Sequence, residues 1–286
     1  MVPRQPGLRV LTARRLAVWG DPIDHSLSPR LHAAAYAELG YDWEYERRRV
    51  DEAAFAATLA GLSPAWRGLS LTMPLKSVAF RTAVRRDRRA QLTRAVNTLL
   101  FTPHGPRGFN TDVGGIVASL GDAGVDGVGT ARIVGTGATA TSALVALGEM
   151  GARDVFVVAR RPEAAAALAA VGSELGVRVR GAALEGPHPD VELTIATLPG
   201  EADIDPAVAD ALARAGGPLL DVVYGTWPTP LAVAWQARGQ SAVSGLGMLL
   251  HQALLQVRVF AAGDPDARLP DEDAVLAAMR RAIMGD

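Results

Sequence analysis

Gly135-Thr136-Gly137-Ala138-Thr139-Ala140 forms a G-x-G-x-x-A turn between an apolar run ending at Val134 and a helix-like segment. Glycines so placed let a backbone approach a pyrophosphate, and free amides at a helix N-terminus favour its charge. Alone, such a turn can be merely structural. Its place between strand and helix points to a dinucleotide. The next apolar run ends in Val158-Ala159-Arg160-Arg161. Here, about 20 residues past the glycines, an NAD site commonly places an acidic residue for the ribose hydroxyls. Two guanidinium groups suit a 2′-phosphate instead, so NADP(H) is expected; a solvated loop is the plain alternative.

Other polar residues each admit two readings. Lys76 follows Pro74, which predicts a helix starting there and puts the lysine in its first turn. A cation there opposes the helix dipole by about 0.3–1 kcal/mol, which disfavours a purely structural purpose. Asp112 precedes a predicted helix over Val113–Leu120, where aspartate is a preferred cap. Ser26 and Ser28, two apart before Pro29, read as turn and cap residues, or as hydroxyls converging on one carboxylate. Thr72 and Asn97 read as strand-end polar groups, and Gln252 as a residue on a helix's wet face. His25 and His32 lack companions at ligand spacing, so no metal is expected.

The chain of 286 residues, 49% hydrophobic, can bury a core of one large or two modest domains. Its net charge of −1 argues against nucleic acid and anionic membranes, leaving a small molecule as the expected partner. Cysteine is absent, which excludes disulfides and thiolate chemistry and fits a cytoplasmic setting. The basic N-terminal stretch lacks the apolar run of a signal peptide, and no apolar run is long enough to span a membrane.

Strands are predicted at Arg15–Gly20, Trp43–Val50 and Trp66–Thr72, with helices at Ser28–Gly40, from Asp51 and from Pro74. A strand pair joined at His104-Gly105 follows over Ala95–Asn110. After the Gly/Asp-rich break GDAGVDGVGT, strands at Ala131, Asp154, Val177–Val179, Val191–Thr197 and Pro218–Val223 come with helices at Ala138–Met150 and Pro162–Glu174. This βαβ alternation predicts a parallel sheet covered by helices. From Gly245 the chain reads as helical, broken at GDPDARLP. Two α/β domains joined by a short hinge are expected.

Five segments carry a resemblance to the shikimate dehydrogenase family. Gly20–Pro29 (GDPIDHSLSP) resembles its G-x-P-I-x-H-S-x-S-P, and Ser70–Lys76 (SLTMPLK) its N-V-T-x-P-x-K. Ala95-Val96-Asn97-Thr98, Asn110–Gly115 (NTDVGG) and Gly245–Ala253 (GLGMLLHQA) match A-V-N-T, N-T-D-x-x-G and G-L-G-M-L-x-x-Q-A in family order. The resemblance implies an α/β fold with an N-terminal substrate domain completed by C-terminal helices (1–112 and 245–286). Residues 113–244 would be an inserted Rossmann-type NADP-binding domain. It implies reduction of 3-dehydroshikimate to shikimate, with Lys76 and Asp112 as the catalytic pair. Ser26 and Ser28 would bind the substrate carboxylate, Thr72, Asn97 and Gln252 its ring hydroxyls, and Tyr224 the carboxylate region. Gly135, Thr136, Gly137, Ala138, Thr139, Ala140, Arg160, Arg161, Thr197, Gly245 and Met248 would face the cofactor. An ammonium near a ketone oxygen can stabilise the developing alkoxide and supply its proton, and a carboxylate beside it can orient the lysine.

The chain departs from the family pattern in places. Ser70 stands for an asparagine, Ala33 for another, Ala159-Arg160-Arg161 for N-R-T, and Ile195 and Leu198 for polar residues near the cofactor. A quinate or quinate/shikimate dehydrogenase using NAD, and a non-catalytic NADP-binding regulator, are the alternative expectations. The protein is expected to act as a monomer or homodimer.

Overall fold

The computed structural model describes residues 14–284, so the N-terminal stretch read above for a targeting signal lies largely outside the described residues. The chain opens with β1 (Arg14–Gly20), α1 (Ser28–Glu38), β2 (Trp43–Arg49), α2 (Glu52–Ala60) and β3 (Trp66–Leu71). Next come α3 (Lys76–Thr82), β4 (Arg85–Arg86), α4 (Arg88–Thr93), β5 (Thr98–Leu100), β6 (Arg107–Phe109) and α5 (Asp112–Asp122). These strands form one six-stranded sheet in the order β2-β1-β3-β5-β6-β4. The first three run parallel, whereas β5 is antiparallel to both β3 and β6. β1 is its apolar spine. Leu16, Ala17, Val18 and Trp19 are all buried, as a strand covered on both faces requires.

A second six-stranded sheet follows. It contains β7 (Thr130–Val134), β8 (Asp154–Ala159), β9 (Arg178–Ala183), β10 (Leu193–Ala196), β11 (Leu219–Asp221) and β12 (Ala242–Ser244). Helices α6 (Ala138–Glu149), α7 (Ala165–Leu175), α8 (Pro206–Arg214) and α9 (Pro230–Ala237) connect them. Every pairing is parallel, and the order β12-β11-β10-β7-β8-β9 reverses direction between β7 and β10. That is the doubly wound, Rossmann-type order, which leaves a crevice at the strand carboxyl ends where the winding reverses.

Two helices join the sheets, α5 and α10 (Leu246–Ala262), and α11 (Glu272–Met284) closes the chain. The two joining helices touch closely. A Cβ on Gly115 would lie 2.8 Å from the Cβ of Gln252 and 2.9 Å from the carbonyl oxygen of Met248. Only a glycine admits that approach. α10 serves both cores: Met248 packs with Val113, Ile116 and the strands β7 and β10. Leu250, Ala253, Val257 and Phe260 pack with Leu16, Leu31 and Tyr36, joined by Val275 and Met279 of α11.

Some local expectations are corrected. Pro74 does not open α3; the helix begins at Lys76, which remains in the first turn. Asp112 is the first residue of α5 rather than its cap. Asn110 takes that part, its Oδ1 accepting from the amides of Asp112 (3.1 Å) and Val113 (3.4 Å). A 3₁₀ turn at Pro162–Ala164 precedes α7 where one continuous helix was expected. The elements β4, α4, α8, α9 and β12 were not anticipated.

Candidate active site

A cavity of about 320 Å³ opens between the carboxyl ends of the two sheets. Its walls bring together Ser26, Ser28, Thr72, Lys76, Asn97, Asp112, Tyr224 and Gln252, with Thr139, Gly245 and Met248 from the expected cofactor set. The loops after β1 and β3 meet at one wall. Asp21 N–H donates to the Met73 carbonyl and Thr72 N–H to that of Trp19, each at 3.0 Å.

Lys76 and Asp112 are in direct contact. Lys76 Nζ donates to Asp112 Oδ2 at 2.7 Å, with the two side chains 15% and 7% exposed. The other carboxylate oxygen accepts from Asn97 Nδ2 at 2.7 Å. The Asp112 carboxylate is therefore clamped from both sides, and its side chain caps nothing. Asn97 spends its second amide hydrogen on Thr111 Oγ1 (2.9 Å), and its Oδ1 accepts from Thr98 Oγ1 and the Thr111 amide. Its amide is thus fully engaged within the protein, so a substrate hydroxyl there would have to share one of these bonds.

The remaining predicted substrate residues surround that pair. Ser28 is buried, its N–H directed at Ser26 Oγ (3.3 Å). Gln252 donates to the Leu249 carbonyl at 2.9 Å. Burial raises the phenol of Tyr224 above its ordinary value, keeping the hydroxyl a neutral donor. Tyr224 rides on a loop anchored by Asp221, whose carboxylate accepts from Val223 N–H (3.1 Å) and Thr229 Oγ1 (2.7 Å).

Reading the sequence missed Gln256, one turn beyond Gln252. It is buried and lines the cavity. Its Oε1 accepts from Ser70 Oγ (2.7 Å) and lies 3.2 Å from His32 Nε2, while its amide reaches the Asn97 carbonyl at 3.3 Å. With Nε2–H donating, His32 Nδ1 accepts from the Tyr36 hydroxyl at 3.0 Å. Burial lowers the imidazole pKa to about 3, so it stays neutral. The i, i+4 spacing of the two glutamines was the available signal. Asn110 was quoted only as part of a motif. Its Nδ2 joins Thr93 Oγ1 and the Ala95 carbonyl to Ser142 Oγ of α6, tying the first sheet to the nucleotide-facing helix.

The expected cofactor residues divide into two groups. Gly135, at φ +118°, makes the turn after β7, and Thr197 Oγ1 donates to the Val134 carbonyl at 3.1 Å, closing the crevice floor. Gly137 precedes α6, with Ala138 opening the helix and Thr139 and Ala140 in its first turn; no side chain caps that end. Thr136 stands in the turn itself. Arg160 and Arg161 are exposed at the carboxyl end of β8 and have no carboxylate partner among the described residues. An uncapped helix end beside a left-handed glycine fits a pyrophosphate, and two uncompensated guanidinium groups fit a further phosphate. Among the described residues no group of three or more His, Asp or Glu could hold a metal ion, and no helix is long and apolar enough to cross a membrane.

Comparisons with known proteins are consistent along the chain. A family model described as the shikimate dehydrogenase substrate binding domain matches residues 18–99. The NADP(+) shikimate dehydrogenase of Methylobacterium radiotolerans is 40% identical over 262 residues, 86% of this chain and 90% of its own. The crystal structure of Mycobacterium tuberculosis shikimate dehydrogenase superposes with a TM-score of 0.81 at 41% identity, covering 93% of this chain and 98% of that one. A Thermus thermophilus shikimate 5-dehydrogenase, solved with NADP(H) and shikimate, gives 0.78 at 31% identity, covering 94% and 100%.

Proposed function

The chain belongs to the shikimate dehydrogenase family, and from that premise we propose how its own residues carry out the family's reaction. The protein is an NADP-dependent oxidoreductase that reduces 3-dehydroshikimate to shikimate, reversibly. The single observation that carries the residue assignment is the 2.7 Å contact between Lys76 and Asp112 inside the cavity.

When bound, NADPH supplies the hydride. The protein must then stabilise and protonate the oxygen that becomes an alkoxide. Lys76 Nζ is the donor suited to that oxygen, a preorganised cation on a mostly buried side chain. Asp112 fixes the ammonium, and Asn97 fixes Asp112 in turn. Ser26 and Ser28 donate hydroxyls to the substrate carboxylate, and Tyr224 approaches the same end. Thr72 and Gln252 face the ring hydroxyls, and Asn97 shares its amide with them. Gly135, Thr136, Gly137, Ala138, Thr139 and Ala140 hold the pyrophosphate, Arg160 and Arg161 the 2′-phosphate. Thr197, Gly245 and Met248 border the nicotinamide.

Within the expected bounds of 1–112 with 245–286, the described residues 14–112 and 245–284 form the substrate unit and 113–244 the nucleotide unit, closing on each other about α5 and α10. The enzyme works as a monomer or homodimer in the cytoplasm, without nucleic acid. Shikimate or quinate, each offered with NADP or NAD, tests the reading through NADPH or NADH absorbance. The expected outcome is the highest kcat/KM for shikimate with NADP. No turnover of any pair would refute the assignment.

A further inference from the structure

The cavity presents a puzzle of charge. Its substrate, on the reading proposed above, is an anion, yet the fixed charges in its lining are Lys76 and Asp112, which oppose each other at 2.7 Å. Neither serine at the expected carboxylate end carries charge. The carboxylate would enter a pocket whose walls offer hydrogen bonds but no net attraction, unless the field comes from just behind them.

The loop carrying Ser26 is held from behind by the edge strand β2, which ends in Arg47-Arg48-Arg49. Arg47 donates from one guanidinium nitrogen to the carbonyls of Asp24 and, at 3.4 Å, of Ser26. Arg49 pairs with the Asp21 carboxylate at 2.8 Å, which cancels its charge. Arg48 lies over the Trp19 ring, 5.7 Å from its centroid, and makes no hydrogen bond to the loop backbone among the described residues. Arg47 alone of the three both grips the loop and has no carboxylate partner among the described residues. Within the loop the remaining backbone ties are few: Ser26 N–H to the Ile23 carbonyl at 3.0 Å and Ser28 N–H to Ser26 Oγ at 3.3 Å.

We propose that Arg47 is a positioning residue for substrate binding: it fixes the serine loop through the Asp24 and Ser26 carbonyls and supplies the uncompensated positive charge that draws the substrate carboxylate to that end of the cavity. It acts through the loop and through space. The reacting oxygen lies at the Lys76 end, so the effect falls on substrate affinity rather than on the chemical step.

The test compares R47Q, R47K and R48Q with the wild-type enzyme in steady-state shikimate oxidation by NADP at low and high salt. R47Q is expected to raise KM for shikimate about tenfold, the scale of a lost hydrogen bond to a charged donor. Its kcat and its KM for NADP should stay within about twofold of wild type. The fall of kcat/KM with added salt should be shallower in R47Q, because less charge remains to screen. R47K keeps the charge on a shorter, more freely rotating donor, so it should restore the salt dependence and only part of KM. R48Q should match wild type. An unchanged shikimate KM in R47Q, or a parallel loss of kcat and both KM values, would overturn the inference. Absence of shikimate turnover by the wild type would instead sink the functional reading on which it rests.

Discussion

Lys76 and Asp112 neutralise each other where water is scarce, so removing either leaves the other buried without its partner. Lys76→Ala should therefore lower both stability and rate, but the rate far more. A loss of about 10²–10⁴ in kcat with a small change in shikimate KM is expected for a proton donor acting in the transition state. An unchanged kcat would remove Lys76 from the mechanism. A second residue-scale effect concerns Asp87, whose side chain accepts from the amides of Ala90 (2.7 Å) and Asn110 (3.3 Å). Burial pushes its carboxyl up to about 6 against those bonds. An unfolded aspartate releases its proton near pH 3.9, so between there and about 6 the folded chain binds more protons. The Asp87 contribution to stability should fall as pH rises through that window. Asp87→Asn should remove that contribution, so its urea midpoint relative to wild type should improve as pH rises from about 4 to 7, and the variant should be no less stable at pH 7; a difference that does not change with pH would refute it. His32 works the other way. Its folded pKa of about 3 lies below the unfolded value, so its contribution is lost as pH falls from about 6.5 towards 3. At this scale the meeting of Lys76 and the paired serines in one cavity was legible only through the motifs around them, because each residue alone reads equally as a surface, turn or cap group. Gln256 and Asn110 stayed hidden because amides look alike in a sequence until their partners are known.

Elements set how those residues meet. α5 brings Asp112 to the cavity and α10 brings Met248 and Gln252, and the two helices touch where Gly115 has no side chain. Gly115→Val should force them apart, at about 1–3 kcal/mol for overpacking a close contact. The displaced Gln252 should raise shikimate KM as well. Chemical denaturation and kinetics on the same preparation would check both, and wild-type values in each would show that the contact tolerates a side chain. The long apolar strands and the G-x-G-x-x-A turn were readable because their periodicity and punctuation agree. β4 and α4 were not, because Arg85-Arg86-Asp87-Arg88-Arg89 hides a two-residue strand and a helix start inside one run of charge. α8 and α9 begin at Asp205-Pro206 and Thr229-Pro230, capping signals without a long apolar stripe beside them.

For the whole molecule the relevant variable is the gap between the sheets. Substrate groups come mainly from the first, and the uncapped end of α6 and the free arginines from the second. Closure about α5 and α10 should narrow the groove when both ligands are present, and a smaller radius of gyration by solution scattering would register it. The same radius with and without ligands would argue for a fixed cleft. Outside the two joining helices, Arg89 of α4 forms a forked pair with Glu149 of α6, at 2.9 and 2.6 Å, a further tie between the first sheet's helices and those of the second.

The packing of α10 and α11 against Leu16, Leu31 and Tyr36 has a temporal consequence. A ribosome makes β1 to β3 well before α10 and α11, so these strands are finished only once the helices that roof them have followed. The parallel sheet in the middle, whose strands all lie within one stretch of sequence, can settle beforehand. The opening strands must meanwhile wait with an apolar face uncovered, and that interval is when this chain is most exposed to aggregation and to chaperones.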